Sequence, residues 1–320
     1  ADFPKVVWHS ETPLLRTAPA PLYRLSRLVR ENNFKVVLTG EGADEMFAGY
    51  NIFKEDKVRR FWARRPDSKL RPQLLAKLYP YIFAQGGGKN VRFLETFFKR
   101  GMTETGSPVY SHQVRWSNTA QLHNFFAPGI NNGDGLADFI DRYSAGLPEG
   151  FMTWHPLSRA QYTEIRIFLT NYLLAAQGDR MAMANAVEGR YPFLDYRVIE
   201  FAAATPPRFK LNGLTEKFIL KQIARDFIPK ELIDRPKQPY RAPISGCFFN
   251  EAPPDYVADM LCEASIKKAG CFDPVKVERL AAKCRTNAGW LLSERENMAL
   301  AGILSTQLLD HQFIRNFQPL

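Results

Sequence analysis

Glycine and acid alternate through Gly40-Glu41-Gly42-Ala43-Asp44-Glu45, directly after the apolar run Val36-Val37-Leu38 and Thr39. A buried strand that runs into a tight acidic turn delivers carboxylates to the carboxyl edge of a sheet, where open α/β folds bind their ligands. A dinucleotide fingerprint carries glycine at its sixth position; here that position is Glu45. Three acids repel a bare pyrophosphate, so the turn suits phosphate only with a divalent cation between them. Magnesium takes oxygen ligands, commonly one or two carboxylates plus substrate phosphates. Asp44 and Glu41 are the candidate ligands, and the Thr39 hydroxyl is a candidate partner for a phosphate oxygen. The bland alternative is a plain βα turn in which Glu41 or Asp44 caps the following helix.

Two further stretches carry chemistry. Gln177 through Asp195 sets Asp179, Arg180, Glu188 and Arg190 into a run of small and apolar residues. Charges so placed read as a buried ion-pair network that can also wall a pocket. Arg235-Pro236-Lys237-Gln238-Pro239-Tyr240-Arg241-Ala242-Pro243 is a proline-stiffened loop bearing three cations. Proline restricts the backbone, so such a loop can present Lys237 to a phosphate; it reads equally as an extended connector. Other motifs fail. Gln85–Asn90 is no P-loop, because Asn90 follows Lys89 and no strand precedes the glycines. G-x-S-x-G and H-E-x-x-H do not occur.

The elements that position these residues follow from periodicity and punctuation. Residues 5–8 read as a short strand. Pro21 fits the first turn of a helix with Leu22, Leu25, Leu28 and Val29 on one face. Asn32-Asn33 ends that helix and 36–38 forms a second strand, giving a βαβ unit with a right-handed crossover. Residues 51–125 read as helices, with loops at 65–67 and 85–88, and 127–150 as a long surface loop. The second half is strongly helical. Thr215 is a candidate N-cap before Phe218, Ile219, Ile223 and Phe227; Pro229 punctuates that helix. Asp273-Pro274 opens another, and Ser293-Glu294-Arg295-Glu296 is a capping box.

With 320 residues the chain can bury a large core, and 45% hydrophobic against 24% charged residues is ordinary for a globular protein. It has no apolar run long enough to cross a membrane, and its first residues, Ala-Asp-Phe-Pro-Lys, do not read as a signal peptide. Cys247, Cys262, Cys271 and Cys284 contain no C-x-x-C, so free thiols in a reducing cytoplasm are expected. None of the five histidines pairs with another at helical spacing, so no histidine metal site is signalled. The net charge of +10 favours anionic ligands such as nucleotides. Part of it lies in Lys57–Arg65, continued by Lys69 and Arg71. That stretch reads as an exposed helix face with Phe61 and Trp62 packed inward, and nucleic-acid binding is the weaker alternative.

Taken in series, the motifs resemble the synthetase domain of glutamine-hydrolysing asparagine synthetases. The residues that carry this are Leu38–Tyr50, Asp179-Arg180-Met181 through Pro192-Phe193-Leu194-Asp195, Glu216-Lys217 and Arg235-Pro236-Lys237-Gln238. The resemblance is clear over residues 1–250 and loose in the C-terminal helices. It implies a helix-rich α/β fold, part of a parallel-sheet, ATP-pyrophosphatase-like (adenine nucleotide α-hydrolase-like) domain with a C-terminal helical bundle. The whole of 1–320 would be the C-terminal part of one synthetase domain. Within it, 1–50 forms the βαβ core with the acidic turn, 51–150 a helical insertion and loop, and 151–320 the helical synthetase region.

The family activates the aspartate side chain with ATP, forming a β-aspartyl adenylate and releasing pyrophosphate; ammonia from a glutaminase domain then attacks. The resemblance assigns Asp44 to Mg²⁺-pyrophosphate, Glu41 to the reacting centre as proton acceptor, and Lys237 to charge on the phosphoryl oxygens. Thr39, Gly40, Gly42 and Lys217 would line the ATP pocket. It also implies aspartate or a related carboxylate as substrate, a cytoplasmic setting, no membrane partner, and a homodimer as one assembly. β-Lactam synthetases and natural-product amidotransferases share these motifs and differ in the acceptor. The family's Ser-Gly-Gly-x-Asp-Ser loop and its glutaminase domain with an N-terminal cysteine are missing from these residues. The expectation is therefore the synthetase portion of a larger enzyme, inactive in isolation.

Overall fold

Phe3, Val6, Val7 and Ser10 are buried on one face of a helix, α1 (Phe3–Ser10), where a strand was expected over 5–8. The burial spacing is helical, and Pro4 sits in the first turn, where its missing N–H costs nothing. Two adjacent valines suggest a strand when read locally; the longer period of the buried residues decides the matter. The computed structural model describes residues 2–79, 88–130, 135–235, 237, 240, 242–286 and 292–317, with backbone alone at 88–91.

α2 (Pro19–Glu31) forms as expected, but its leucine face is not the one that docks. Leu25 and Leu28 are more than half exposed, whereas Tyr23 and Ser26 are buried. Ser26 Oγ donates to the Met181 carbonyl at 2.6 Å, and Asn185 Nδ2 donates to the Tyr23 carbonyl at 3.1 Å. Polar bonds therefore tie α2 to the 180–185 segment.

β1 (Val36–Leu38) pairs in parallel with β2 (Glu188–Arg190), in the register Val36↔Glu188, Val37↔Gly189 and Leu38↔Arg190. Among the described residues these two strands form the whole sheet. The parallel neighbour of β1 thus lies about 150 residues later in the sequence rather than before α2. β2 is three residues long and carries two charges, so no apolar run announces it. β1 is not buried either: Leu38 is 74% exposed. Its backbone register still holds, and Thr39 N–H continues the ladder to the Arg190 carbonyl at 3.0 Å.

The middle of the chain is helical. α3 (Ala43–Met46) is a single turn, and α4 (Asn51–Ala63) follows it. Val58 and Trp62 of α4 pack with Leu75, Leu78, Phe98 and Met102. The basic stretch on α4 is only partly a solvated face. Arg59 is buried and donates to the carbonyls of Phe98, Tyr110 and Arg100. Phe61, expected to face inward, is 42% exposed and is covered by the Arg71 guanidinium. Residues 136–145, expected within a loop, form a helix (Leu136–Ala145) that buries Tyr143. The residues 85–87 of the glycine-rich segment lie outside the described residues.

The C-terminal helices pack against α1 as a bundle. Helix Pro274–Thr286 starts where Asp273 Oδ1 accepts from the N–H groups of Val275 and Lys276. Helix Glu294–Leu309 starts at the expected capping box. Phe3, Val6 and Val7 share one core with Phe248, Leu280, Leu300, Ile303 and Leu304. Thr215, expected as an N-cap, instead bridges to Asn212, and the helix Phe218–Ile223 begins after Lys217. None of the described helices is long and apolar enough to cross a membrane. All four cysteines are free thiols.

Candidate active site

Beyond β1 the chain reverses through Gly42, whose φ of +89° favours glycine. A Cβ there would lie 2.2 Å from Leu194 Cδ2, so the turn is pressed against the Pro192–Leu194 segment. This close approach joins the first two constellations. Gly40 has no such constraint, since a Cβ there would meet nothing.

The turn presents Asp44 to two lysines. Asp44 Oδ1 lies 2.9 Å from Lys217 Nζ and Asp44 Oδ2 lies 2.9 Å from Lys237 Nζ. Gly49 makes room for this: a Cβ on it would stand 1.8 Å from Asp44 Oδ1 and 2.4 Å from Lys217 Cε. Lys217 is held by its backbone, which adopts φ +49° and donates its N–H to the Phe47 carbonyl at 3.1 Å. Next to it, buried Glu216 accepts from Lys54 Nζ at 2.6 Å and Lys221 Nζ at 3.0 Å. Burial works to raise the Glu216 pKa, yet the bonds from Lys54 and Lys221 outweigh it and bring it to about 2.

Glu41 is half-buried beside this cluster. Burial first, and the Asp44 charge second, raise its pKa, with Lys237 opposing them. A carboxylate so placed is a better proton acceptor than a free one. Thr39 Oγ1 is buried without a hydrogen-bond partner, which leaves one donor-acceptor group at the head of the turn unassigned.

Glu45 faces the other way. It is 1% exposed and accepts from Tyr50 Oη at 2.7 Å, while its Oε2 is buried without a partner. Burial pushes its pKa up to about 7, the Tyr50 bond opposing and the Asp44 and Glu164 charges assisting. Gln161 Nε2 donates to the carbonyls of Glu45 at 2.6 Å and Met46 at 2.9 Å, locking α3 from below. Tyr50 meets Phe168 edge-on at 6.4 Å, and Lys237 Nζ lies 5.6 Å from the centre of the Tyr50 ring. Phe168 also lines an apolar cleft of about 990 Å³, with Trp116, Phe139, Tyr172 and Met298 among its other walls.

The structure thus brings Asp44, Lys217 and Lys237 into contact and places Glu41 beside them. It does not build the expected network in the 177–195 segment. Glu188 pairs with Arg190 on the surface at 2.7 Å. Arg180 instead holds Glu11 and the Ser10 carbonyl, and Asp179 accepts from Tyr191 Oη at 2.5 Å. Of the Lys237 loop, Pro236, Gln238, Pro239 and Arg241 lie outside the described residues. The reading from sequence gave no role to Glu45, Gly49, Tyr50 or Gln161. Glu45 and Tyr50 carry a usable signal, since an acid and an aromatic five residues apart follow directly on the glycine-rich turn. Gln161 carries none, because its partners are backbone carbonyls.

The asparagine synthase family model matches residues 1–309, and the chain belongs to that family. It is 29% identical over 258 residues to the glutamine-hydrolyzing asparagine synthetase 1 of Bacillus subtilis (strain 168), covering 78% of this chain and 37% of that protein. It is 27% identical over 253 residues to amidase chyE of Penicillium rubens, covering 75% and 37%. It is 25% identical over 294 residues to amidase chry2 of Gibberella zeae, covering 85% and 41%. The chain spans well under half the length of each of these relatives.

Proposed function

We propose that this chain is the synthetase portion of an ATP-dependent ligase that converts a carboxylate to an amide through an acyl-adenylate. The observation that carries this reading is Asp44 held between Lys217 and Lys237 at the carboxyl end of β1. Two ammonium groups offset the charges of Asp44 and Glu41, so the turn does not repel a polyphosphate as bare acids would. We read the parallel pair as part of an ATP-pyrophosphatase-like sheet and the whole chain as one domain.

A magnesium ion fits the donor set in one specific way. Among the described residues no three acidic, histidine or cysteine side chains converge as a metal cage. One carboxylate, Asp44, is what a Mg²⁺ needs when phosphates and water supply its remaining ligands. Bound there, it would neutralise pyrophosphate charge. The chain's own residues do the rest. A substrate carboxylate oxygen attacks the α-phosphorus of ATP and pyrophosphate leaves, while Lys237 stabilises negative charge on the phosphoryl oxygens. Ammonia then attacks the acyl carbon, AMP leaves, and Glu41 accepts the proton released by nitrogen. Thr39, Gly40, Gly42 and Lys217 line the nucleotide side.

Aspartate as substrate, with glutamine-derived ammonia from a glutaminase domain, is the leading assignment. The relatives' names support it in the Bacillus subtilis protein. A second reading keeps the chemistry and enlarges the acceptor. The cleft beside Phe168 is mainly apolar, with Arg16 and Arg142 also in its lining, and could seat a bulkier acid than aspartate, and two fungal relatives are called amidases. A nucleic-acid scaffold is disfavoured, because Arg59 of the basic stretch is buried. The test is ATP–pyrophosphate exchange by the protein that carries this chain, with aspartate and with apolar carboxylic acids in parallel. Exchange with aspartate supports the first reading, exchange with the apolar acids alone supports the second, and none with any carboxylate refutes both. The isolated 320 residues should show no exchange.

A further inference from the structure

Adjacent acids in the turn do opposite jobs: Asp44 faces the lysines, and Glu45 faces the interior and holds Tyr50. Lys237 carries its ammonium on a long flexible stem, and such a stem needs a wall to define where the charge sits. Two groups provide it among the described residues, Asp44 Oδ2 at 2.9 Å and the face of the Tyr50 ring at 5.6 Å. The second contact lies within the ~6 Å range of an effective cation–π interaction. The ring cannot swing away easily. Its hydroxyl bonds Glu45 Oε1, its edge meets Phe168, and Glu45 sits on a turn that Gln161 ties down through two backbone carbonyls.

From this geometry we infer that Tyr50, anchored by its hydrogen bond to Glu45, is the positioning residue for the Lys237 ammonium. The inference rests on the proposed role of Lys237. Asp44 is the poorer guide during turnover, because a phosphate-bound cation would compete for its oxygens. An aromatic face holds a cation without occupying any of its three N–H donors, so those remain available to phosphoryl oxygens.

The test compares Tyr50→Leu, Tyr50→Phe, Glu45→Gln and Glu45→Leu in the protein that carries this chain. Tyr50→Leu should lower kcat about tenfold, the scale of a partly exposed cation–π contact, with KM for ATP changed by less than about twofold. Tyr50→Phe keeps the ring and should recover most of that loss. Glu45→Gln keeps an acceptor for the hydroxyl and should stay near wild type, whereas Glu45→Leu keeps the ring without that bond and should match Tyr50→Phe. A merely structural Tyr50 would lower the melting temperature and leave kcat per folded molecule intact. The inference is overturned if kcat of Tyr50→Leu stays within about twofold, or if Tyr50→Phe falls as far as Tyr50→Leu. Where Tyr50→Leu does not fold, Tyr50→Met takes its place in the same comparison. An independent readout is NMR of isotope-labelled, reductively methylated lysines. The Lys237 signal should carry a ring-current shift that Tyr50→Phe retains and Tyr50→Leu loses. If the unsubstituted protein shows no exchange with any carboxylate, the functional reading fails, while the ring-current shift still judges the contact.

Discussion

Lys237 Nζ lies 2.9 Å from Asp44 Oδ2 although 193 residues of chain separate them. Lys217 holds the other oxygen of the same carboxylate. Lys237 and the glycine-rich turn are thereby held to one another by charge.

On the proposed function, Lys237→Ala removes a cation from the point where phosphoryl charge would develop. By analogy with loss of one oxyanion donor, the cost is on the order of 3 kcal/mol, roughly a hundredfold in kcat. The Lys237 side chain is 29% exposed, so screening keeps the stability cost below about 1 kcal/mol. Adenylation rate and melting temperature measured together should therefore separate. Unchanged turnover removes Lys237 from the mechanism.

Gly49→Ala should injure the site rather than the fold. The added methyl would occupy the position of Asp44 Oδ1 and the Lys217 stem, so the carboxylate must leave its two lysines. The expected result is loss of ATP–pyrophosphate exchange by about a hundredfold with the circular dichroism spectrum retained. A fully active Gly49→Ala would show that the Asp44–Lys217 contact is dispensable.

Glu216 anchors the segment that carries Lys217. Its pKa is brought to about 2 in the fold from an ordinary 4.5. A depressed carboxyl contributes stability that is fully present above its unfolded pKa and is lost as pH falls through the folded one. Glu216→Gln should thus cost about 3 kcal/mol at pH 7, because it leaves Lys54 and Lys221 uncompensated in a mostly buried place. The gap between wild type and variant should shrink between pH 4.5 and about 2. Chemical denaturation at pH 7 and pH 3 reads both values, and a gap that does not narrow contradicts the assignment.

The acidic turn and Lys237 were legible in the sequence because chemistry of that kind needs particular residue types in a contiguous string. Their juxtaposition was not, since it depends on a strand pair between residues 36–38 and 188–190. β2 is Glu-Gly-Arg, and its pairing is made by backbone atoms that leave no mark on side-chain pattern. Helix α1 was misread for a related reason. Val6 and Val7 have strand-like side chains, but Phe3, Val6, Val7 and Ser10 fit a helix once there is a bundle to bury them. The capped helices at Asp273 and Ser293 were readable because a cap is a local contact between neighbours in sequence.

Lys210 is 3% exposed and bonds the Ala202 carbonyl at 3.1 Å, with no carboxylate paired to it among the described residues. Burial alone lowers its pKa from 10.5 to about 8. As with Glu216, the folded pKa lies below the unfolded one and the slope with pH has the same sign, but here the fold disfavours the charged form. Between pH 8 and 10.5 the unfolded chain binds a proton that the fold does not, so this group's contribution to stability rises with pH across that window. Below pH 8 the fold carries the full cost of a buried ammonium. Lys210→Met keeps the stem and removes the charge, at the expense of one hydrogen bond to a carbonyl. It should stabilise the protein by about 1–2 kcal/mol at pH 7, after subtracting about 1 kcal/mol for the lost bond. The advantage should vanish or reverse by pH 10, where wild-type Lys210 is neutral in the fold and still donates to Ala202. Denaturation midpoints of the two proteins across pH 7–10 test this, and parallel curves would mean that the Lys210 ammonium is solvated despite its position.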